Sequence, residues 1–295
     1  MIEHDLRYDR ADEFMEVVLG HWNAWDDDAL VVDKTTGLFA HPDRVRRLDH
    51  VGANFKSRGP FTVPRTPQGH PVIIQAGQSG RGRRFAGRWA EVIFAGGGSL
   101  AQHQRGYREL KDEVAAAGRD PDQVHVCTLC FTVSAATKSE AEDKMAVIEK
   151  LPLEIDALSL LSEALNFDFA TKGMDEAFTD AELASIQGIQ TMRDRVVLAS
   201  GKPNPTVRDF ITFSGRGRPH GAFVGGPKEV ADRLEELFVN RGCDGFVVAA
   251  THVPGSYADF VDFVVPELQR RGLYHKEYAG PTLRENLGLV RPART

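Results

Sequence analysis

Cysteine is scarce in this chain: of 295 residues, only Cys127, Cys130 and Cys243 carry thiols. Three thiols cannot build the disulfide framework on which small secreted domains depend. Cys127 and Cys130 spell C-x-x-C, but they stand in VHVCTLCFTV, which reads as a strand. Side chains three apart on a strand face opposite sides, so two buried structural thiols are expected rather than a metal or redox pair. Long apolar runs are also missing. None approaches the roughly 20 residues of a membrane helix, and MIEHDLRYDR lacks a signal peptide's apolar core, so a cytoplasmic protein without a membrane partner is expected. A basic excess is absent as well: 36 Lys and Arg face 42 Asp and Glu, for a net charge of -6. Nucleic acid as a partner is thereby excluded, since phosphate binding needs clustered positive charge. The acidic run Asp26 to Asp28 reads as a solvated turn, because nothing nearby completes an oxygen cage for a metal.

What is present is an ordinary globular composition, 42% hydrophobic and 26% charged, long enough to bury a large core. Phe14, Val17, Val18, Trp22 and Trp25 recur at helical spacing, which predicts an amphipathic helix over 10–25. From Asp26 to Gly69 the chain reads as a long loop with short extended pieces such as Gly59 to Val63. PVIIQAG (71–77) is a short apolar run of the kind covered on both faces in a parallel sheet. Similar runs at 91–96, 124–135 and 245–250 alternate with helices at 100–117 and 229–240, which indicates βαβ units. Between Ser139 and His220 the alternation stops. Helices at 139–149, 153–165 and 180–200 make 139–220 a helical insertion within a single domain, 1–295. Tyr257 to Arg271 is helical in pattern, with Pro266 expected to kink or divide it. The tail 272–295 is polar and extended.

Chemistry concentrates in QAGQSGRGRRFAGRWA (75–90), where a strand ends in a small-residue turn and an arginine-rich helix follows. Amides at that helix start, the Ser79 hydroxyl and the positive end of the dipole suit a phosphate, to which Arg81, Arg83 or Arg84 can add charge. Ser79 reads equally as a plain N-cap. His4 and Tyr8, four residues apart, share a face and can reach one ligand if that stretch is helical. In isolation such a pair at a chain start is a solvated or locally satisfied one. The run Gly225-Gly226-Pro227 before a helix is ordinary helix-start grammar.

Taken in order, HDLRYDRADEF, WNAWDDDA, PVIIQAGQSGRGR, VGGPKEVADRLEELF and EYAGPTLRENLG resemble one group closely. It is the nitrilotriacetate, dibenzothiophene-sulfone and pristinamycin monooxygenase branch of the luciferase-like flavin monooxygenases. The resemblance implies an α/β fold, a (β/α)8 TIM barrel of the bacterial luciferase type with its site at the C-terminal strand ends. It further implies reduced FMN (FMNH2) supplied by a separate flavin reductase, O2 as co-substrate, and oxygenation of a small organic substrate. Carried over by position, His4 and Tyr8 match the family's H-x-x-x-Y contacts to the ribityl-phosphate side of FMN. Ser79 and the Gly80 amide match its phosphate position. No catalytic side chain is assigned.

Family chains carry further strands ahead of H-x-x-x-Y, and only four convincing strands are found here against the eight of a closed barrel. The expectation is therefore the C-terminal part of an incomplete barrel, whose open edges favour a homo-oligomer. Two alternatives stand beside the monooxygenase: a truncated, inactive flavin- or partner-binding remnant, and an oxidoreductase using F420.

Overall fold

In the computed structural model, the described residues are 4–76, 80–96, 98–215 and 221–294, without the side chains of His4 and Thr191. Helix α1 spans His4–Trp22, starting earlier than the apolar spacing predicts. The segment read as one loop contains two small antiparallel hairpins, β1 (Leu30–Asp33) with β2 (Leu38–Ala40) and β3 (His50–Val51) with β4 (Lys56–Ser57). Their strands of two to four residues are too short for a period of two to register in sequence. Gly59 to Val63 carries no strand.

The alternating region follows as β5 (Ile74–Ala76), α2 (Gly80–Trp89), β6 (Val92–Ala95), α3 (Leu100–Ala116) and β7 (His125–Ser134). Next come α4 (Lys138–Ile148), α5 (Glu154–Leu165), α6 (Asp180–Ser185), α7 (Gln190–Ser200) and α8 (Val207–Phe213). The helix expected over 180–200 is thus two helices, and α8 had no separate expectation. Strand β8 (Phe223–Gly225) is a three-residue addition, then α9 (Pro227–Val239) and β9 (Gly245–Ala249). The last helical stretch runs as α10 (Gly255–Asp259), a π-helical turn at Phe260–Val264 and α11 (Val265–Arg270). Pro266 falls in the first turn of α11, where its missing N–H costs least, directly after the π-helical turn, and the stretch stays helical without a break. A short α12 (Leu283–Asn286) interrupts the tail.

Capping boxes explain where several helices begin. Ser99 and Gln102 satisfy each other's backbone amides at α3, as do Thr137 and Glu140 at α4, Thr206 and Asp209 at α8, and Thr282 and Glu285 at α12.

The chain divides into two compact units. The first comprises 1–129, 235–247 and 274–295, the second 130–234 and 248–273. In the first unit β5, β6 and the start of β7 pair in parallel, with Ile74 opposite Val92 and Val92 opposite His125. Behind them Ala86, Ala90, Ile93, Leu110, Val114, Val124 and Val126 form the core. Helices α2 and α3 pack so closely that a Cβ on Gly87 would stand 2.6 Å from the Glu113 carbonyl oxygen. In the second unit the end of β7 pairs in parallel with β8. Its core is a knot of aromatic rings, Phe169, Phe178 and Phe210, with centroids 5.0 to 5.4 Å apart and tilted contacts favourable to ring quadrupoles. The fold is α/β, as the strand and helix alternation predicts.

Candidate functional site

Position 4 is the first helical residue of α1, so His4 and Tyr8 lie one helical turn apart. Ser79 lies outside the described residues, whereas Gly80 opens α2 directly after it. The structure brings Tyr8 to that helix start. The Tyr8 ring packs against Phe85 at 5.5 Å, centroid to centroid, with the two planes tilted by 54°, and the Arg81 guanidinium lies 5.5 Å over its face.

Ion pairs zip α1 to α2. Arg81 donates to Asp9 at 2.9 Å and to Asp12 at 2.5 Å, Trp89 Nε1 donates to Asp12 at 2.6 Å, and Arg88 pairs with Glu16 at 2.8 Å. Every arginine of α2 but one is committed in this way, since Arg83 donates to Glu109 at 2.6 Å. Arg84 is the exception among the described residues, with neither a hydrogen bond nor an ion pair. Its guanidinium sits at the start of α2, where a Cβ built on Gly80 would find Arg84 Nη1 at 3.9 Å and nothing nearer. Of the three arginines the sequence offered as phosphate partners, the geometry leaves Arg84 available.

Sequence reasoning passed over Gln75. Among the described residues its Oε1 is buried on β5 without a hydrogen-bond partner, while its Nε2 donates to the Ala76 carbonyl at 3.1 Å. A buried unpartnered acceptor costs about 1–3 kcal/mol, so one kept at a strand end beside a candidate ligand turn is informative.

At the start of β5 lies a buried clamp. Arg284 is 1% exposed and grips the Glu91 carboxylate with both terminal nitrogens, one of them at 2.9 Å. Glu91 in turn accepts from the Ile73 amide at 3.0 Å, fixing the chain immediately ahead of β5. Burial raises the Glu91 carboxyl, but the Arg284 and Ile73 hydrogen bonds outweigh it and hold the group below the usual carboxylate range. His70, stacked on Trp22 at 5.6 Å, is pushed down by burial. The acidic run is an exposed turn, as expected, and its carboxylates also pair: Asp27 takes both terminal nitrogens of Arg291 at 2.6 and 2.8 Å, and Asp26 takes those of Arg46 at 2.6 and 3.0 Å. Among the described residues no group of His, Cys, Asp and Glu could hold a metal ion, and no helix is long and apolar enough to cross a membrane.

The sequence model of the luciferase-like monooxygenases matches residues 1–245. The chain belongs to that family. Dibenzothiophene-sulfone monooxygenase of Rhodococcus erythropolis is 42% identical over 298 residues, which cover 99% of this chain and 65% of the relative. Nitrilotriacetate monooxygenase component A of Aminobacter aminovorans is 37% identical, again over 99% of this chain and 64% of its own length. This luciferase-like chain therefore spans about two thirds of the curated relatives it matches. Among solved structures, riboflavin lyase with modified FMN and the substrate riboflavin superposes with a TM-score of 0.82. It is 34% identical and covers 98% of this chain and 63% of its own. These matches carry the luciferase-like barrel fold for the strands and helices described above.

Proposed function

We propose that this luciferase-like chain acts as an FMNH2-dependent monooxygenase, which receives reduced FMN from a separate flavin reductase and uses O2 to oxygenate a small organic molecule. The observation that carries the reading is the meeting of Tyr8 with the start of α2, beside the uncommitted Arg84 guanidinium. The residues present fit the phosphate end of FMN. The Gly80 amide at the helix start and Arg84 would hold the phosphate, with Ser79 at the turn and His4 and Tyr8 on the ribityl side. Gln75 Oε1 supplies an acceptor for a ligand N–H or O–H. Bound reduced FMN supplies the electrons that activate O2, while the protein binds, orients and excludes water.

Component A in a relative's name supports a partner reductase. Three free thiols suit the reducing cytoplasm. Exposed Leu30, Val32 and Phe39 on the first hairpin support self-association. We also treat 1–295 as one barrel domain, with 139–220 as its insertion and 272–295 as its tail.

The test is to couple the purified chain to a flavin reductase with NADH and FMN under 18O2, offering organic sulfones, aminopolycarboxylates and thioethers. Incorporation of one 18O atom into a product supports the reading. NADH consumption by the reductase with no labelled product from any class would favour the inactive remnant. Tight binding of F420 in place of FMN would favour the deazaflavin alternative.

A further inference from the structure

A cleft lies at the opposite end of the strands from the turn after β5. It has a volume of about 480 Å³ and is lined by α3 (Tyr107, Arg108, Lys111, Asp112), Asp122 ahead of β7, and Arg241 ahead of β9. Part of this lining is a rigid, fully committed floor. Tyr107 Oη donates to Asp244 at 2.9 Å, and the Lys111 ammonium is held by Asp244 at 2.9 Å and by the Pro121 and Val124 carbonyls. Burial, then Asp244, push the Tyr107 hydroxyl up to about 12, so it stays a neutral donor. The other part is uncommitted. Among the described residues, the side chains of Arg108, Arg241, Asp112 and Asp122 make no hydrogen bond and no ion pair, although all four line one cleft.

Arg241 adds a backbone argument. Helix α9 ends in a Schellman motif, in which Gly242 N donates to the Leu237 carbonyl at 2.8 Å and Arg241 N to the Phe238 carbonyl at 3.1 Å. The left-handed position of that motif is usually glycine, yet here it is Arg241, with φ of 56°. Among the described residues its guanidinium makes no hydrogen bond or ion pair, and its charge is felt by the Tyr107 hydroxyl on the floor of the cleft.

We propose that this cleft binds a small molecule that joins an oxyanion to ammonium or hydroxyl donors, independently of the flavin reading. Arg108 and Arg241 take the oxyanion through charge-assisted hydrogen bonds, and Asp112 and Asp122 accept from the donors. The two carboxylates select against a bare polyanion, which they would repel.

The test is calorimetric titration of the whole chain with phosphoethanolamine, and with inorganic phosphate at matched ionic strength. Expected is binding of phosphoethanolamine that weakens by at least about tenfold in both Arg241→Gly and Arg108→Gln, with Lys34→Gln unaffected. Arg241→Gly should also unfold at an unchanged or higher temperature, which separates lost binding from lost folding. Four results would overturn the proposal: no binding by the unaltered chain, binding retained in both cleft variants, binding lost in Lys34→Gln, or inorganic phosphate binding as tightly as phosphoethanolamine with the same loss in Arg108→Gln and Arg241→Gly. If Arg241→Gly fails to fold, the strain argument falls and Arg108→Gln alone decides the site.

Discussion

Arg284 and Glu91, 193 residues apart in sequence, form a bidentate ion pair buried beneath the start of β5. Through the Ile73 amide this pair ties the tail to the strand that leads into the candidate phosphate turn. Arg284→Met leaves the Glu91 carboxylate buried and uncompensated, a change that costs about 3–5 kcal/mol. Urea unfolding should show that loss. Pairing it with Glu91→Gln should restore part of the stability, because the uncompensated charge is then gone.

Acidification should destabilise the fold in two stages. His70 has its folded value lowered by burial, so below about 6.5 the unfolded chain takes up a proton that the folded chain refuses. Stability therefore declines as pH falls from 7 toward 5. The lowered Glu91 carboxyl contributes stability that is present above its unfolded value of 4.5 and disappears as pH falls through its folded value. Thermal midpoints measured from pH 7.5 down to about 2.5 check this. His70→Gln should flatten the upper stage and leave the lower one.

Much of this architecture was legible in the sequence, because β5, β6, β7 and β9 are apolar runs separated by strongly periodic helices. The hairpins over 30–57 and the strand β8 were not, since strands of two to four residues fix no period. Arg284 looked like part of a polar surface tail. Its burial depends on Glu91 and His70, far away in the chain, and no local pattern encodes that meeting. Tyr8 and the amides at the start of α2 were ambiguous from local pattern, and family resemblance gave them their roles. What singles out Arg84 is the consumption of Arg81 and Arg83 by Asp9, Asp12 and Glu109, which only the fold reveals.

Gly87→Ala should be costly although alanine is the better helix former. The added methyl would meet the Glu113 carbonyl 2.6 Å away and force α2 from α3. A loss of about 1–3 kcal/mol is expected by chemical denaturation, whereas Gly106→Ala, which meets nothing within 4 Å, should be neutral or stabilising.

Asp12 serves both Arg81 and Trp89 and so holds the Tyr8 face of α1 against α2. Asp12→Asn should lower FMN affinity while the chain stays folded, because the cost falls on the alignment of two helices rather than on the core. Circular dichroism alongside the FMN titration checks both halves of that statement.

The central claim is that the start of α2, with Arg84 and Tyr8, takes the phosphate end of a flavin. Anaerobic titration of the chain with reduced FMN and with reduced riboflavin, in unaltered form and as Arg84→Gln, tests it most directly. The account predicts that FMN binds more tightly than riboflavin, and that Arg84→Gln weakens FMN by roughly 10- to 100-fold while leaving riboflavin unchanged. Equal affinity of the unaltered chain for the two flavins would contradict it.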